Sequence, residues 1–365
     1  MRSTLACLVA AGALVACSDS AGKKGAPDGG ADADAGSPLD QGAALTIDVP
    51  MTGRTYVKLD PLAVAQIADP KTSTAWDLAF EGWDVFTNSG VSGPGQCKSF
   101  GPLDPLSFFD SAIPDTPFLY TDVAGGAFYR WYAYDGPSHA LWSRWHVYGI
   151  RDGARTWKLQ VVSYYGTSMG APVSALYKVR FAEITNGIGP TTVTSDIDAS
   201  AGGPNAPPDA ASSCLDLGTN TVTMLTPAQA AASSAWHLCF RRDKIDVNGE
   251  LGGPRGVGAV DLDWQKTPTE TINDVKPLTE QSTQARFDSI DLKAFDGQVF
   301  RGDRVISAYT DLWIDRTKNP IVPRDAAFLS YAADGKKAYL IGVVKFEGQT
   351  AQGPGKVYLR VKGVQ

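Results

Sequence analysis

The sequence predicts an all-β protein made of two tandem antiparallel β-sandwich or open-barrel-like domains, with a short helix near the start of each. Three observations support this reading. A stretch of the first half, Ala75 to Gly95 (AWDLAFEGWDVFTNSGVSGPG), returns in altered form at Ala235 to Gly256 (AWHLCFRRDKIDVNGELGGPRG). At one constant spacing Trp76 matches Trp236, Leu78 matches Leu238, Phe80 matches Phe240, Asn88 matches Asn248 and Pro94 matches Pro254. Helical periodicity is nearly absent from the first half, where the runs 128–134, 145–151, 157–165 and 175–182 are β-rich and separated by Gly, Pro and Asp. Finally, the segment from Lys158 to Phe181 faces the C-terminal segment from Tyr339 to Lys362, with Leu159 opposite Leu340 and Tyr177 opposite Tyr358.

Within each copy, the Trp-x-Leu-x-Phe alternation places three large apolar side chains on one face of a strand, and a Gly-rich turn ends that strand. Upstream, Asp60-Pro61-Leu62 and Thr226-Pro227-Ala228 each put a capping oxygen before a proline, which predicts a short helix in both copies. The chain of 365 residues accommodates two domains of this size, each large enough for its own core. We place them at 45–184 and 214–365, with 185–213 as a linker rich in Gly and Pro. Val357 to Val361 is read as the closing strand.

Ahead of the first domain, residues 1–17 read as an export signal: Arg2 supplies the basic start, and Leu5 to Val15 an apolar run too short to span a bilayer. Leu14-Val15-Ala16-Cys17 is similar to a bacterial lipobox, which implies cleavage before Cys17, lipidation of that cysteine and anchoring to the outer membrane, surface-exposed or periplasmic. An ordinary secretory signal is the other reading. Residues 18–44 hold almost nothing to bury and read as a disordered tether, reaching on the order of 30 Å. The tether's five aspartates against two lysines account for half of the formal net charge of -6. The remainder is only mildly acidic, which argues against nucleic acid or anionic lipid as a partner. Export permits disulfides, and of Cys97, Cys214 and Cys239 the pairing Cys214 with Cys239 would tie the start of the second domain to its core strand, although sequence leaves connectivity open.

Tether, tryptophan strand, Gly-rich turn and late Tyr-Tyr hairpin together resemble the HmuY-type family of haem-binding bacterial surface lipoproteins. The residues that carry the resemblance are Trp76-Asp77-Leu78-Ala79-Phe80, Thr87-Asn88-Ser89-Gly90 with Ser92-Gly93, Val147-Tyr148-Gly149-Ile150-Arg151, and Lys158-Leu159-Gln160 with Tyr164-Tyr165. They span most of the first domain. The resemblance implies a non-catalytic all-β surface protein that captures haem or another tetrapyrrole and hands it to an outer-membrane uptake receptor. The best-known members clamp haem iron between two histidines, and here the sequence departs from them. Its only histidines are His139, His146 and His237, and none lies between Asn88 and Trp131. His139 stands close to one family ligand position, His146 and Met169 are further candidates, and Trp131, Tyr134 and Trp142 are candidate pocket walls. Each also has a plainer reading as a core or rim residue. His237 replaces Asp77 of the first copy inside a core strand and reads as structural.

Two other readings belong to different classes. A surface binding or adhesion module of the same fold, without haem ligation, is favoured by the missing second histidine. Gly166-Thr167-Ser168-Met169-Gly170-Ala171-Pro172 resembles the serine segment of subtilisin-like proteases, which begins a helix and needs a histidine partner. Here it is flanked by strand-like segments, and the His and Asp motifs of that family are absent. No zinc, calcium or phosphate-loop motif occurs in the chain.

Overall fold

The computed structural model describes residues 37–203, 206–267 and 269–365. The expected signal segment, Cys17 and most of the expected tether lie outside the described residues. The end of that tether belongs to the fold: Leu39 of the short 3-10 helix Pro38–Gln41 is buried, and Ala43 already pairs with Val361.

The architecture is mostly β, with several sheets and a minority of short helices. First come β1 (Ala43–Asp48), β2 (Thr55–Leu59), β3 (Leu62–Ala65), β4 (Leu78–Glu81), β5 (Asp84–Thr87) and β6 (Ser99–Leu103). A connecting strand, β7 (Val123–Gly125), leads to β8 (Tyr132–Asp135), β9 (Ala140–Ser143), β10 (Tyr148–Asp152) and the long hairpin β11 (Arg155–Ser168) and β12 (Ala171–Glu183). Then follow β13 (Thr192–Val193), β14 (Ile197–Asp198), β15 (Ser212–Asp216), β16 (Thr221–Leu225), helix α1 (Pro227–Ala232), β17 (Leu238–Arg241), β18 (Lys244–Val247) and β19 (Gly258–Asp261). After helices α2 (Ile272–Val275) and α3 (Glu280–Ser289) the chain closes with β20 (Arg304–Ile306), β21 (Ile314–Asp315), β22 (Val322–Pro323), β23 (Ala327–Tyr331), β24 (Ala338–Glu347) and β25 (Lys356–Val364).

The two expected helices have different outcomes. Thr226 caps α1 with a full capping box to Gln229, as its sequence predicts. Pro61 instead sits in the tight turn between β2 and β3, where Leu62 to Ala65 pair back onto Tyr56 to Leu59. Four ladder partners outweigh a single isolated helical turn, whose nucleation is unfavourable.

Two four-stranded sheets, β3-β2-β4-β5 and β16-β15-β17-β18, share one design. Leu78 and Phe80 face one core, and Leu238 and Phe240 face another. The preceding tryptophan goes to the opposite side, which corrects the expectation of three side chains on one face: Trp76 packs on Tyr56, Ala79 and Phe86, and Trp236 on the cysteines. The cause is an asparagine clamp. Asn88 Nδ2 donates to the carbonyls of Ser73 (3.0 Å) and Trp76 (2.8 Å), and its Oδ1 accepts from Gly95 N–H. Asn248 repeats this with Ser233, Trp236 and Arg255. Each clamp bends the chain just before the strand and ties it to the Gly-rich turn.

The two large sheets cross the sequence halves. In the order β1-β25-β24-β23-β6, strand β6 of the first half pairs with β23 of the last quarter. In the order β13-β12-β11-β10-β19, β10 pairs with β19, and β14 also pairs with β12. The stretch 185–213, read from sequence as a linker, supplies β13, β14 and the start of β15, and the buried Ile197 and Ala199. One core therefore joins Leu78 and Phe80 to Trp313, Ile341 and Leu359, and another joins Trp157, Leu159 and Tyr177 to Leu215, Leu238 and Phe240. These cores define lobe one (38–125 with 304–365) and lobe two (126–303). The register also differs by one residue from the sequence expectation. Leu159 occupies its core as Ile341 does, whereas Leu340 faces the other side against Leu39 and Phe108. A one-residue slip exchanges the faces of a strand. Both hairpins carry a bulge at the matching place, Val161/Ser163 and Val343/Lys345.

The outer face of each large sheet is covered by the segment that follows β6 or β19. In lobe one that is Phe108. In lobe two it is α3, whose Phe287 packs on the sheet while buried Lys158 donates from Nζ to the carbonyls of Phe287, Asp288 and Ile290 at 2.7, 3.1 and 2.9 Å. An ammonium at the helix C-terminus satisfies its orphan carbonyls. Arg180, also buried, reaches the same helix through Thr283 and Gln284.

The chain passes between lobes twice, and the two crossings, β7 and β20, pair with each other. Each is pinned by an aspartate. Asp122 accepts from Thr87 N–H (2.9 Å), Thr87 Oγ1 (2.6 Å) and Ser92 Oγ (2.6 Å). Asp303 accepts from Val247 N–H (2.9 Å), but its second oxygen, Oδ1, is buried without a partner. The hydroxyl of Thr87 has no counterpart at Val247. Burial pushes Asp122 up to about 6 and Asp303 up to about 8. Because an unfolded aspartate ionises near pH 3.9, the Asp303 contribution falls as pH rises from about 4 to about 8. Val247→Thr restores a hydroxyl donor of nearly equal size. We expect a gain of about 1 kcal/mol near pH 8, and a smaller one near pH 4, in urea unfolding. An unchanged midpoint at both pH values would contradict the pairing of Asp303 with this position.

Candidate functional site

Two adjoining cavities open beside the crossing strands. The first, of about 460 Å3, lies between the lobes. Its floor is the backbone of β7 with Ser307 and Ala308, and its walls are Phe100 and Tyr120 from one lobe and Tyr129, Tyr132 and Tyr134 from the other. The second, of about 590 Å3, belongs to lobe two and is lined by Tyr134, His139, Leu141, Tyr164, Tyr165, Ser174 and Arg242. Tyr132, Tyr134 and Asp243 line both. The first cavity is mostly apolar, whereas Ser138, His139, Ser174, Arg242 and Asp243 make the second about as polar as apolar; apolar walls with placed polar groups are the usual form of a small-molecule site.

The polar groups are held by the β8–β9 hairpin and by the turn between β17 and β18. Tyr132 donates its hydroxyl to Asp243 Oδ2 at 3.1 Å; burial, with the Asp243 carboxylate beside it, holds the phenol well above its ordinary range. Burial likewise raises the Asp246 carboxyl. The Tyr165 hydroxyl accepts from Leu141 N–H (2.9 Å), fixing the long hairpin against β9. Arg242 Nη1 donates to Ser174 Oγ at 3.1 Å. His139 lies in the β8–β9 turn at φ 55°, a left-handed conformation uncommon for a residue with a side chain. Its Nδ1 is 2.5 Å from the Tyr134 hydroxyl. Among the described residues Nε2 has no partner, so it is the nitrogen left to face a ligand.

The structure separates the six residues singled out from sequence. Tyr134 and His139 line the cavity together. Trp131 is 1% exposed, a core residue whose indole N–H donates to the carbonyl of Asp243 at 2.7 Å; it supports the site from below and is no wall. Trp142 is half-exposed on β9 under the Lys276 ammonium and lines neither cavity. Met169 stands fully exposed at the tip of the β11–β12 hairpin, away from the cavity linings. His146 is 2% exposed, with Nδ1 2.8 Å from Asp261 and Nε2 3.2 Å from Glu270, which Arg144 also holds. Both ring nitrogens are spent on carboxylates, so no axial position is open there. Residues 166–172, the subtilisin-like segment, are the tip of that same hairpin, with strand on both sides and no helix following.

Cys214 and Cys239 are disulfide-bonded across β15 and β17, and Cys97 is a buried free thiol. His237 is fully buried in the position of Asp77. Its Nδ1 accepts from Leu217 N–H at 3.1 Å, as Asp77 accepts from Leu59 N–H. Its Nε2 lies 3.3 Å from Asp152 without hydrogen-bond alignment, while Arg255 bridges Asp152 and Asp216. Sequence reasoning missed Asp243, Tyr132, Tyr165 and Arg242. Arg242 and Asp243 lie in the repeated stretch and Tyr165 in the Tyr-Tyr hairpin, but no local pattern marks them as site residues, because their convergence depends on the hairpins meeting the β17–β18 turn.

No model of a known protein family matches the chain, and no curated protein matches it in sequence. Of the three histidines only His139 is exposed with a ring nitrogen that has no partner among the described residues, so the chain could offer a haem iron one imidazole and not two. Because His146 is sealed among carboxylates, His146→Ala is expected to cost about 2–3 kcal/mol in thermal or urea unfolding by leaving a cavity and a buried Asp261 Oδ2 without its partner, while Arg144 still holds Glu270. The same variant should leave the spectrum of added haemin unchanged. An altered spectrum would place His146 in the site.

Proposed function

We propose that this protein is a lipid-anchored, outer-membrane binding protein that captures haem or a related tetrapyrrole for uptake and performs no catalytic step. The observation that carries this reading is the cleft in which His139, held at Nδ1 by the Tyr134 hydroxyl, lines one cavity together with Tyr134, Tyr164 and Tyr165. Bound haem would supply an iron able to take a neutral imidazole, and His139 is the residue that would hold it. The chain's own residues do the rest. Tyr134 fixes the imidazole through Nδ1, and the tyrosines shield a flat ring from water. Membrane attachment through Cys17 and delivery to an outer-membrane receptor complete the reading.

Repeated strand order, clamps and bulges support a further part of it: two copies of one HmuY-like fold, in which each copy's opening strands pair with the closing strands of the other. Adhesion without haem is the second reading, favoured by the sealing of His146, since no pair of histidines is left to clamp iron.

A haemin titration of the full chain, followed in the Soret and visible bands, separates the two. Capture predicts one saturable Soret shift per chain that His139→Ala weakens by at least about tenfold. A non-saturating response in the wild type, or a shift indifferent to His139, would contradict haem ligation and leave adhesion.

A further inference from the structure

The two lobes share a corner in which a tryptophan packs beneath a tight turn. In lobe one Trp313 donates its indole N–H to the carbonyl of Trp83 at 3.1 Å, and in lobe two Trp131 donates to the carbonyl of Asp243 at 2.7 Å. Both turns have a left-handed residue just before, Gly82 or Arg242, whose N–H donates to the strand-leading segment, at Pro50 or Ala199. The corners are built alike but filled differently. Trp83 lays its indole against Trp313 (6.3 Å between centroids) and Phe346 (5.5 Å), and Arg316 stacks over it. In lobe two, Tyr164 stands where Phe346 does, Tyr134 follows Trp131 at the spacing at which Arg316 follows Trp313, and the indole is gone. The second cavity, about 590 Å3, opens there.

We infer that Asp243 is the residue that creates the binding site: a carboxylate in place of an indole empties the corner of lobe two, confines binding to one site per chain and sets its specificity. This deepens the tetrapyrrole reading and rests on it for the ligand. With Arg242 and His139 on the same wall, the ligand class is a planar aromatic ring system that carries an acidic edge. The carboxylate does not face the ligand unpaired, since the Tyr132 hydroxyl already holds Oδ2. Its contribution is therefore space and the orientation of Tyr132, rather than charge. Trp83 in lobe one shows that the scaffold accepts an indole at this turn, so the substitution that fills the corner is one the fold already tolerates.

The test compares Asp243→Trp with Asp243→Asn in the full chain, using haemin and iron-free protoporphyrin as probes, with melting temperature as the folding control and Asp243→Phe as a smaller plug should the indole unfold the chain. Asp243→Trp is expected to weaken both probes by at least about tenfold, while Asp243→Asn, which keeps the space, stays within about threefold of wild type. Binding retained by Asp243→Trp or Asp243→Phe at an unchanged melting temperature overturns the inference and leaves the tetrapyrrole reading in place. Porphyrin binding that Asp243→Trp abolishes, with no haemin-specific spectrum, supports the inference and removes iron ligation by His139. If neither probe binds the wild type, both fall.

Discussion

The whole arrangement depends on two strand ladders, β6 on β23 and β10 on β19, which join parts of the chain far apart in sequence. Without β23, both β6 and β24 would present unpaired edges. Backbone N–H and C=O groups buried without partners cost free energy on the scale of a lost hydrogen bond each. Pairing β6 with β23 and β10 with β19 satisfies these edges at once. It also forces the chain to cross between lobes twice, so β7 and β20 lie side by side, and the cleft opens beside the backbone of β7.

Within that shared scaffold the lobes differ where hydrogen bonding or filling has changed. Asp77 becomes His237, which keeps the bond to the neighbouring strand but brings an imidazole that burial pushes down to about 4. The hydroxyl cage around Asp122 is thinned around Asp303. The indole of Trp83 is a carboxylate at Asp243. Lobe two therefore holds an imidazole, an unpartnered carboxylate oxygen and a turn carboxylate where lobe one has satisfied bonds or packing. Buried polar groups of this kind weaken a fold, and of the three only Asp243 lines the cleft, while Asp303 pins a crossing strand and His237 lies against Asp152 and Asp216. The α3 segment offsets part of that loss: Lys158 and Arg180 are buried, but each spends its protons on the helix it holds.

The all-β class was legible because strand alternation and turn chemistry are local. Leu78 and Phe80, the capping box at Thr226 and the run from Trp157 to Tyr165 needed no knowledge of what lay opposite. The partners of those strands were not legible. Nothing in 99–103 or 148–152 announces that each pairs across the boundary at 185–213, since pairing is set by edge geometry and not by local pattern. The slip between Leu340 and Ile341 has the same origin: similar apolar residues stand side by side, and only the face decides. Helix α3 was silent because it buries just Thr283 and Phe287 and is held by cations from a sheet, so it has no apolar stripe to read. Of the site, Tyr134 and His139 were visible as a local pair in one turn, while Asp243 became visible only against Trp83.

The most direct test of the account takes the segment 126–303 by itself. It holds a contiguous chain, the disulfide, both faces of one large sheet and every lining residue of the second cavity. We would measure its unfolding by circular dichroism and its response to haemin in the same preparation. The account predicts one cooperative transition and a saturable Soret shift with an affinity within about tenfold of the full chain. A segment that does not fold would contradict lobe two as a self-sufficient unit, and one that folds and leaves haemin untouched while the full chain binds it would contradict the assignment of the site to lobe two.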